Sequence, residues 1–226
     1  MNQKHCYALV FDMDGVIVDN HQWHFRAWLE FCRQHGFRLS EEEFYTTIFG
    51  GTNRDLLTRL YGNTLTDAEI LQMGEEKELL YRTVYEPHIK PVPGVREFIL
   101  SARERGIRTA LATSAPMANV TYTLKHTGLE NNFDVIVESS QIAHGKPHPE
   151  IYIRVASLLG LRTERCAVFE DSLPGIQSAR EAGCKVTGVA TTLQASEISH
   201  ADLVISDFTD QQTLFAVIDS WFVNRM

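Results

Sequence analysis

Six short apolar runs punctuate the chain: CYALVF from Cys6, IRTALAT from Ile107, DVIVE from Asp134, CAVFED from Cys166, KVTGVA from Lys185 and ADLVIS from Ala201. Most are nearly continuous in apolar character and do not alternate, the pattern of strands covered on both faces by helices. Between the later runs stand the helix-like stretches VREFILSARERG, NVTYTLKHTG and IYIRVASLLG, closed by Gly106, Gly128 and Gly160. Glycine in that place ends a helix because it adopts left-handed backbone at no steric cost. Strand alternating with helix predicts an α/β fold built on a parallel sheet.

The interval from about Asn20 to Tyr85 breaks this rhythm, with helical periodicity and no convincing strand. Ser40 with Glu43, and Thr66 with Glu69, have the spacing of capping boxes, in which each side chain satisfies an exposed amide at a helix start. The stretch YEPHIKPVPGV then carries Pro87, Pro91 and Pro93, which favour an extended return to the sheet. The expected organisation is a Rossmann-like α/β core, residues 1–19 and 88–226, with helices on both faces of the sheet and an inserted α-helical cap, residues 20–87.

At 226 residues and 44% hydrophobic content, the chain is long enough to bury a sizeable core. A formal net charge of -8 with no basic run argues against a nucleic-acid partner. Cys6, Cys32, Cys166 and Cys184 form no C-x-x-C pair, so free thiols in a reducing compartment are expected over a zinc site or a disulfide framework. No apolar stretch reaches the ~20 residues needed to cross a bilayer, and no secretory leader is evident. A cytoplasmic monomer with no membrane partner is the resulting expectation.

Candidate chemistry gathers at predicted strand ends, where open parallel sheets bind their ligands. Asp12 and Asp14 follow the first run, and Glu170 and Asp171 close the fourth. Should those strands approach each other, four carboxylates share one cleft. Like charges at ~4 Å repel by roughly 4 kcal/mol per pair at an effective dielectric near 20, so the cluster must take up protons or bind a cation. Oxygen-only ligands favour a hard divalent ion such as Mg²⁺. The plainer reading of Asp12-Met13-Asp14-Gly15 is a turn held by local amide bonds. Thr113 and Ser114, at the end of the second run, can bind phosphate oxygens or cap the following helix. Lys146 in GKPHP is either a cation for the site or a solvated surface group.

Taken in order, DMDGVIVD, LATS, GKPHP and EDS resemble the four motifs of the haloacid dehalogenase superfamily, and the resemblance covers essentially the whole chain. WHFRAW from Trp23 and GGTNRDLL from Gly50 are similar to the β-phosphoglucomutase-like subgroup of sugar-phosphate phosphatases and mutases. The resemblance implies that Asp12 is the nucleophile and that Asp14 protonates the leaving oxygen and later takes a proton from water or a hydroxyl. It implies that Asp12, the carbonyl of Asp14, Glu170 and Asp171 hold Mg²⁺, with Glu170 bound directly or through water. Thr113, Ser114 and Lys146 are then the phosphate-binding groups. Dehalogenases of the superfamily lack an acid at the position of Asp14, so the implied substrate is a small phosphate ester.

In the cap, His24, Arg54 and Lys77 stand where the mutases have a hinge histidine, a phosphate-gripping arginine and a lysine over the sugar. Plainer roles are open to each: His24 with Trp23 can fill a helix interface, and Arg54 and Lys77 can be solvated. Ala115, Pro116 and Met117 follow Ser114 where the mutases carry polar groups for a second phosphate, with Asn119 a candidate replacement. The balance favours a phosphatase acting through an aspartyl-phosphate, with a β-phosphoglucomutase-type mutase as the alternative and a non-catalytic phospho-acceptor or sensor behind both. Exclusion of water followed by product release further predicts cap movement about hinges near Asp19 to His21 and Pro87 to Pro93.

Overall fold

The computed structural model describes residues 7–47 and 52–222; Cys6, Gly50 and Gly51, named above, lie outside them. By packing, the chain divides into two compact units, 1–19 with 90–226, and 20–89. The second unit ends at Ile89, past the end expected from the prolines. The unit formed by the two flanking segments holds a six-stranded sheet: β1 (Ala8–Phe11), β2 (Arg108–Ala112), β3 (Val135–Val137), β4 (Cys166–Glu170), β5 (Lys185–Val189) and β6 (Leu203–Ile205). Every pairing is parallel, in the order β3-β2-β1-β4-β5-β6. Each strand falls within one of the six apolar runs.

The near-continuous apolar character of β1 has the expected cause, since all four residues are buried. Ala8 and Val10 join a cluster with Ile151, Tyr152 and Val155, while the Phe11 ring lies 4.7 Å from that of Phe169 and 6.3 Å from that of Phe98. Successive side chains of a strand point to opposite faces, so the sheet buries both. The helices of this unit are α5 (Val95–Glu104), α6 (Met117–Thr127), α7 (Glu150–Leu159), α8 (Leu173–Glu181) and α9 (Gln211–Phe222), numbered after four in the other unit. Gly128 and Gly160 end α6 and α7 with φ of 67° and 64°, as their positions in the sequence predict.

Unit 20–89 is helical, with α1 (His21–Gln34), α2 (Glu41–Thr47), α3 (Asn53–Tyr61) and α4 (Asp67–Tyr85). The Thr66–Glu69 capping box opens α4, and the Glu43 amide donates to Ser40 Oγ at 3.1 Å before α2. A further box, Thr52 with Asp55, opens α3; it escapes the sequence signature because the reciprocal acceptor is aspartate in place of glutamate or glutamine. Trp28, Phe31, Phe44, Leu56 and Leu57 form the unit's apolar centre. Among the described residues no helix is long and apolar enough to cross a membrane.

Candidate active site

The strand order turns at β1, where the chain first builds outward through β2 and β3 and then returns to build through β4, β5 and β6. Such a switch point opens a crevice at the carboxyl ends of the strands. The register pairs Phe11 with Leu111 and with Phe169, so the segments leaving β1, β2 and β4 emerge side by side. They carry Asp12, Thr113, Glu170 and Asp171.

Carboxylate oxygens of Asp12, Glu170 and Asp171 lie within 4.8 Å of one another, all three residues buried. Asp12-Met13-Asp14-Gly15 does form a turn. Gly15 has φ 76°, and the amides of Ile17 and Val18 donate to the Met13 carbonyl at 2.8 and 3.2 Å. That tight turn places Asp14, partly exposed, beyond Asp12 at the mouth of the strand.

Lys146 is not a solvated lysine. Its side chain is 5% exposed and its Nζ lies 2.9 Å from Asp12 Oδ1 and 2.5 Å from Glu170 Oε1. Nor does Thr113 cap α6, whose N-cap is Pro116 without a side-chain bond. Thr113 Oγ1 accepts from the Ala115 amide at 3.0 Å, which leaves the hydroxyl proton to be donated. Ser114 follows it, half-buried.

Burial pushes the Asp12 carboxyl well above the usual carboxylate range; the Lys146 ammonium opposes this, while Glu170, Asp171 and Asp14 add to it. Burial also works against the charge on Lys146, but the carboxylates of Asp12 and Glu170 outweigh it and raise its pKa. One ammonium thus stands among three buried carboxylates, an excess of negative charge that a divalent cation balances. The donor set, all oxygen, suits a hard ion. The residues present therefore fit a metal of that class.

Several groups serve the cluster that strand-end reasoning did not single out. Thr192 Oγ1 donates to Asp171 Oδ2, and Thr191 Oγ1 donates to the Gly15 carbonyl at 2.5 Å. Both threonines lie just past Ala190, which follows β5, the strand beside β4, and that position is the signal that points to them. Tyr152 donates to Glu170 Oε1 at 2.5 Å; inside an apolar helical stretch it reads only as core. Gly175, in the first turn of α8, has a different part. A Cβ there meets all three carboxyl atoms of Glu170 at 2.1 Å, so glycine is what lets the carboxylate lie against the helix. Gly175→Ala is expected to lose ~1–3 kcal/mol of stability through overpacking, beyond its gain in helix propensity, with a fall in any activity that needs Glu170. Thermal unfolding compared with Gln177→Ala, on the exposed side of the same helix, checks this.

The residues expected from the helical segment lie within unit 20–89. His24 stacks on Tyr81 with ring centroids 3.9 Å apart, and its Nδ1 lies 3.1 Å from Lys77 Nζ. Lys77 is buried, overturning its solvated alternative, and pairs with Glu78 at 2.8 Å; Glu78 in turn accepts from Asn53 Nδ2 at 2.8 Å. Arg54 is exposed and paired with Asp67 at 2.8 Å. Asn119 is fully buried in α6.

Comparison with known proteins agrees with this geometry. The family model described as haloacid dehalogenase-like hydrolase matches residues 7–183. A phosphorylated carbohydrates phosphatase of Thermotoga maritima is 34% identical over 194 residues, 82% of this chain and 86% of the relative. A beta-phosphoglucomutase of Bacillus subtilis is 29% identical over 230 residues, 95% of each chain. Among solved structures, a HAD hydrolase of family IA, variant 3, from Entamoeba histolytica superposes with a TM-score of 0.85 at 30% identity, covering 96% of this chain and 100% of that one. With the motif residues converging at one end of a parallel sheet and the match extending over most of its length, the chain belongs to the haloacid dehalogenase-like hydrolase family of enzymes.

Proposed function

We propose that the protein is a Mg²⁺-dependent phosphatase of small phosphorylated metabolites, sugar phosphates foremost, acting through a phosphorylated Asp12. The observation that carries this reading is the buried cluster of Asp12, Glu170, Asp171 and Lys146, with Asp14 two positions beyond Asp12. Asp12, Asp171 and the Asp14 carbonyl would hold the ion, with Glu170 beside them. When bound, it supplies positive charge that keeps Asp12 ionised and offsets charge on the transferring phosphoryl group.

The remaining steps belong to side chains. Asp12 attacks phosphorus, while Asp14 gives its proton to the departing ester oxygen. Asp14 then takes a proton from the water that cleaves the aspartyl-phosphate, so the acid is regenerated with each cycle. Thr113 and the Ser114 amide orient the phosphoryl oxygens, and the Lys146 ammonium stabilises them as charge builds. The helical unit is proposed as the cap that selects the substrate and moves between binding and release. Free thiols at Cys32, Cys166 and Cys184 accord with a cytoplasmic setting, and the reading needs no second chain.

The relative from T. maritima favours phosphatase by its name. The mutase reading draws on the relative from B. subtilis and on the His24–Lys77 pair. Against it, Ala115, Pro116 and Met117 offer no polar side chain for a second phosphate. A screen of phosphorylated metabolites that follows free phosphate and isomerised product together decides. The expected result is multiple turnovers of free phosphate that stop when EDTA is added. Transfer of phosphate between two hydroxyls of one sugar with little release establishes the mutase. A single labelling event without turnover establishes the phospho-acceptor.

A further inference from the structure

Glu170 has no exposed surface, and four protein donors surround its carboxylate. Oε1 accepts from Lys146 Nζ and from the Tyr152 hydroxyl, both at 2.5 Å. Oε2 accepts from the Asp171 amide at 3.2 Å and from Ser172 Oγ at 3.3 Å. An ionised carboxylate offers about four lone-pair sites, so this set fills it. The arrangement is directional: Lys146 reaches Asp12 on one side and Glu170 on the other, and Tyr152 secures the same Glu170 oxygen that Lys146 uses.

Tyr152 itself is 1% exposed on α7, with its ring 5.5 Å from Lys146 Nζ. Phenylalanine would fill the same space without a polar group to desolvate. The hydroxyl therefore contributes something other than packing: it donates to Glu170.

We propose that Tyr152 is a positioning residue, whose hydroxyl pins Oε1 of Glu170 so that Glu170 in turn holds the Lys146 ammonium against Asp12. The role rests on the phosphoryl-transfer reading above, in which Lys146 must meet the phosphoryl oxygens as it touches the nucleophile. Without the hydroxyl, Oε1 keeps one site unfilled, Glu170 gains freedom to turn, and the ammonium loses its fixed place. Misplacement of a charge by a fraction of an ångström lowers the rate without changing how tightly the ground state binds.

The test compares wild type, Tyr152→Phe, Glu170→Gln and the double variant, by steady-state kinetics on whichever ester wild type turns over. Beside this runs acetic anhydride labelling of Lys146 in the substrate-free protein, read by peptide mass spectrometry. Tyr152→Phe is expected to lower kcat ~10- to 100-fold with KM within about twofold, and to speed labelling of Lys146 several-fold at a melting temperature close to wild type. In the Glu170→Gln background the same substitution is expected to change kcat by less than about twofold, because a residue acting through Glu170 has nothing left to act on.

Wild-type kcat and labelling in Tyr152→Phe, or full additivity in the double variant, would overturn the proposal. If Tyr152→Phe fails to fold, Glu170→Gln alone still decides, since unchanged Lys146 labelling there breaks the relay at its middle member. Absence of turnover in wild type would count against the phosphatase reading and leave the labelling result to judge the relay.

Discussion

Asp12→Asn is expected to lower turnover by ~10⁴-fold or more, the scale of losing a nucleophile that works as part of a unit, while leaving the fold intact. An amide does not attack phosphorus, so no aspartyl-phosphate forms. Brief incubation with ³²P-labelled substrate should give an acid-stable, hydroxylamine-sensitive label on wild type and none on the variant. The stability effect runs in the opposite sense to the activity effect. Burial and three neighbouring carboxylates hold the Asp12 pKa above its ordinary value, which means that its charge is disfavoured in the folded state. A group of this kind reduces stability at neutral pH, and the cost disappears as acid protonates it. In EDTA the variant should therefore melt no lower than wild type at pH ~7, with any advantage shrinking toward pH ~4. A melting temperature well below wild type in EDTA would show that the Asp12 charge is structural.

Lys146→Met should have the second largest effect, and here stability and activity fall together. The substitution keeps most of the apolar stem and removes the ammonium that lies between Asp12 and Glu170. Taking one partner from a buried ion pair costs ~3–5 kcal/mol because its counterpart is left uncompensated. For a chain of this size that is a drop of roughly 6–20 °C in melting temperature. The loss should narrow as pH falls and the stranded carboxylates take up protons, and added Mg²⁺ should restore part of it through the same excess of negative charge. The rate should fall by ~10²–10³-fold, as when one preorganised charge is removed from a developing oxyanion. Calorimetry with and without Mg²⁺ separates the two contributions, and an unchanged melting temperature in EDTA would contradict the ion-pair argument.

How far the sequence could be read depended on how local the signal was. β1 and β4 were legible because strands covered on both faces must be apolar throughout, and Asp12 and Glu170 because two such runs each close on a pair of acids. Lys146 was harder, since a lysine between glycine and proline looks the same whether it faces water or a carboxylate from a distant strand. Tyr152 lay beyond reach: its ring obeys the helical periodicity of α7, and only the folded chain reveals that its oxygen ends at Glu170. Thr192 fell between these cases, its place after β5 suggestive but its bond to Asp171 dependent on the sheet order. The turn at Asp12-Met13-Asp14-Gly15 gives a different lesson, because a bend held by local amides does not exclude a site: the same bend carries Asp14 past Asp12.

β1 precedes residue 20, yet both of its partners, β2 and β4, are made only after the whole helical unit, the farther one beginning at Cys166. During translation, which proceeds N-terminus first at ~5–20 residues per second, the helical unit can consolidate through short-range contacts while the leading apolar segment waits for its neighbours. Completion of the sheet, and with it assembly of the carboxylates, is thereby deferred until late in synthesis. A nascent chain arrested before residue 166 should accordingly be protease-resistant over 20–89 and bound by chaperones at its leading strand.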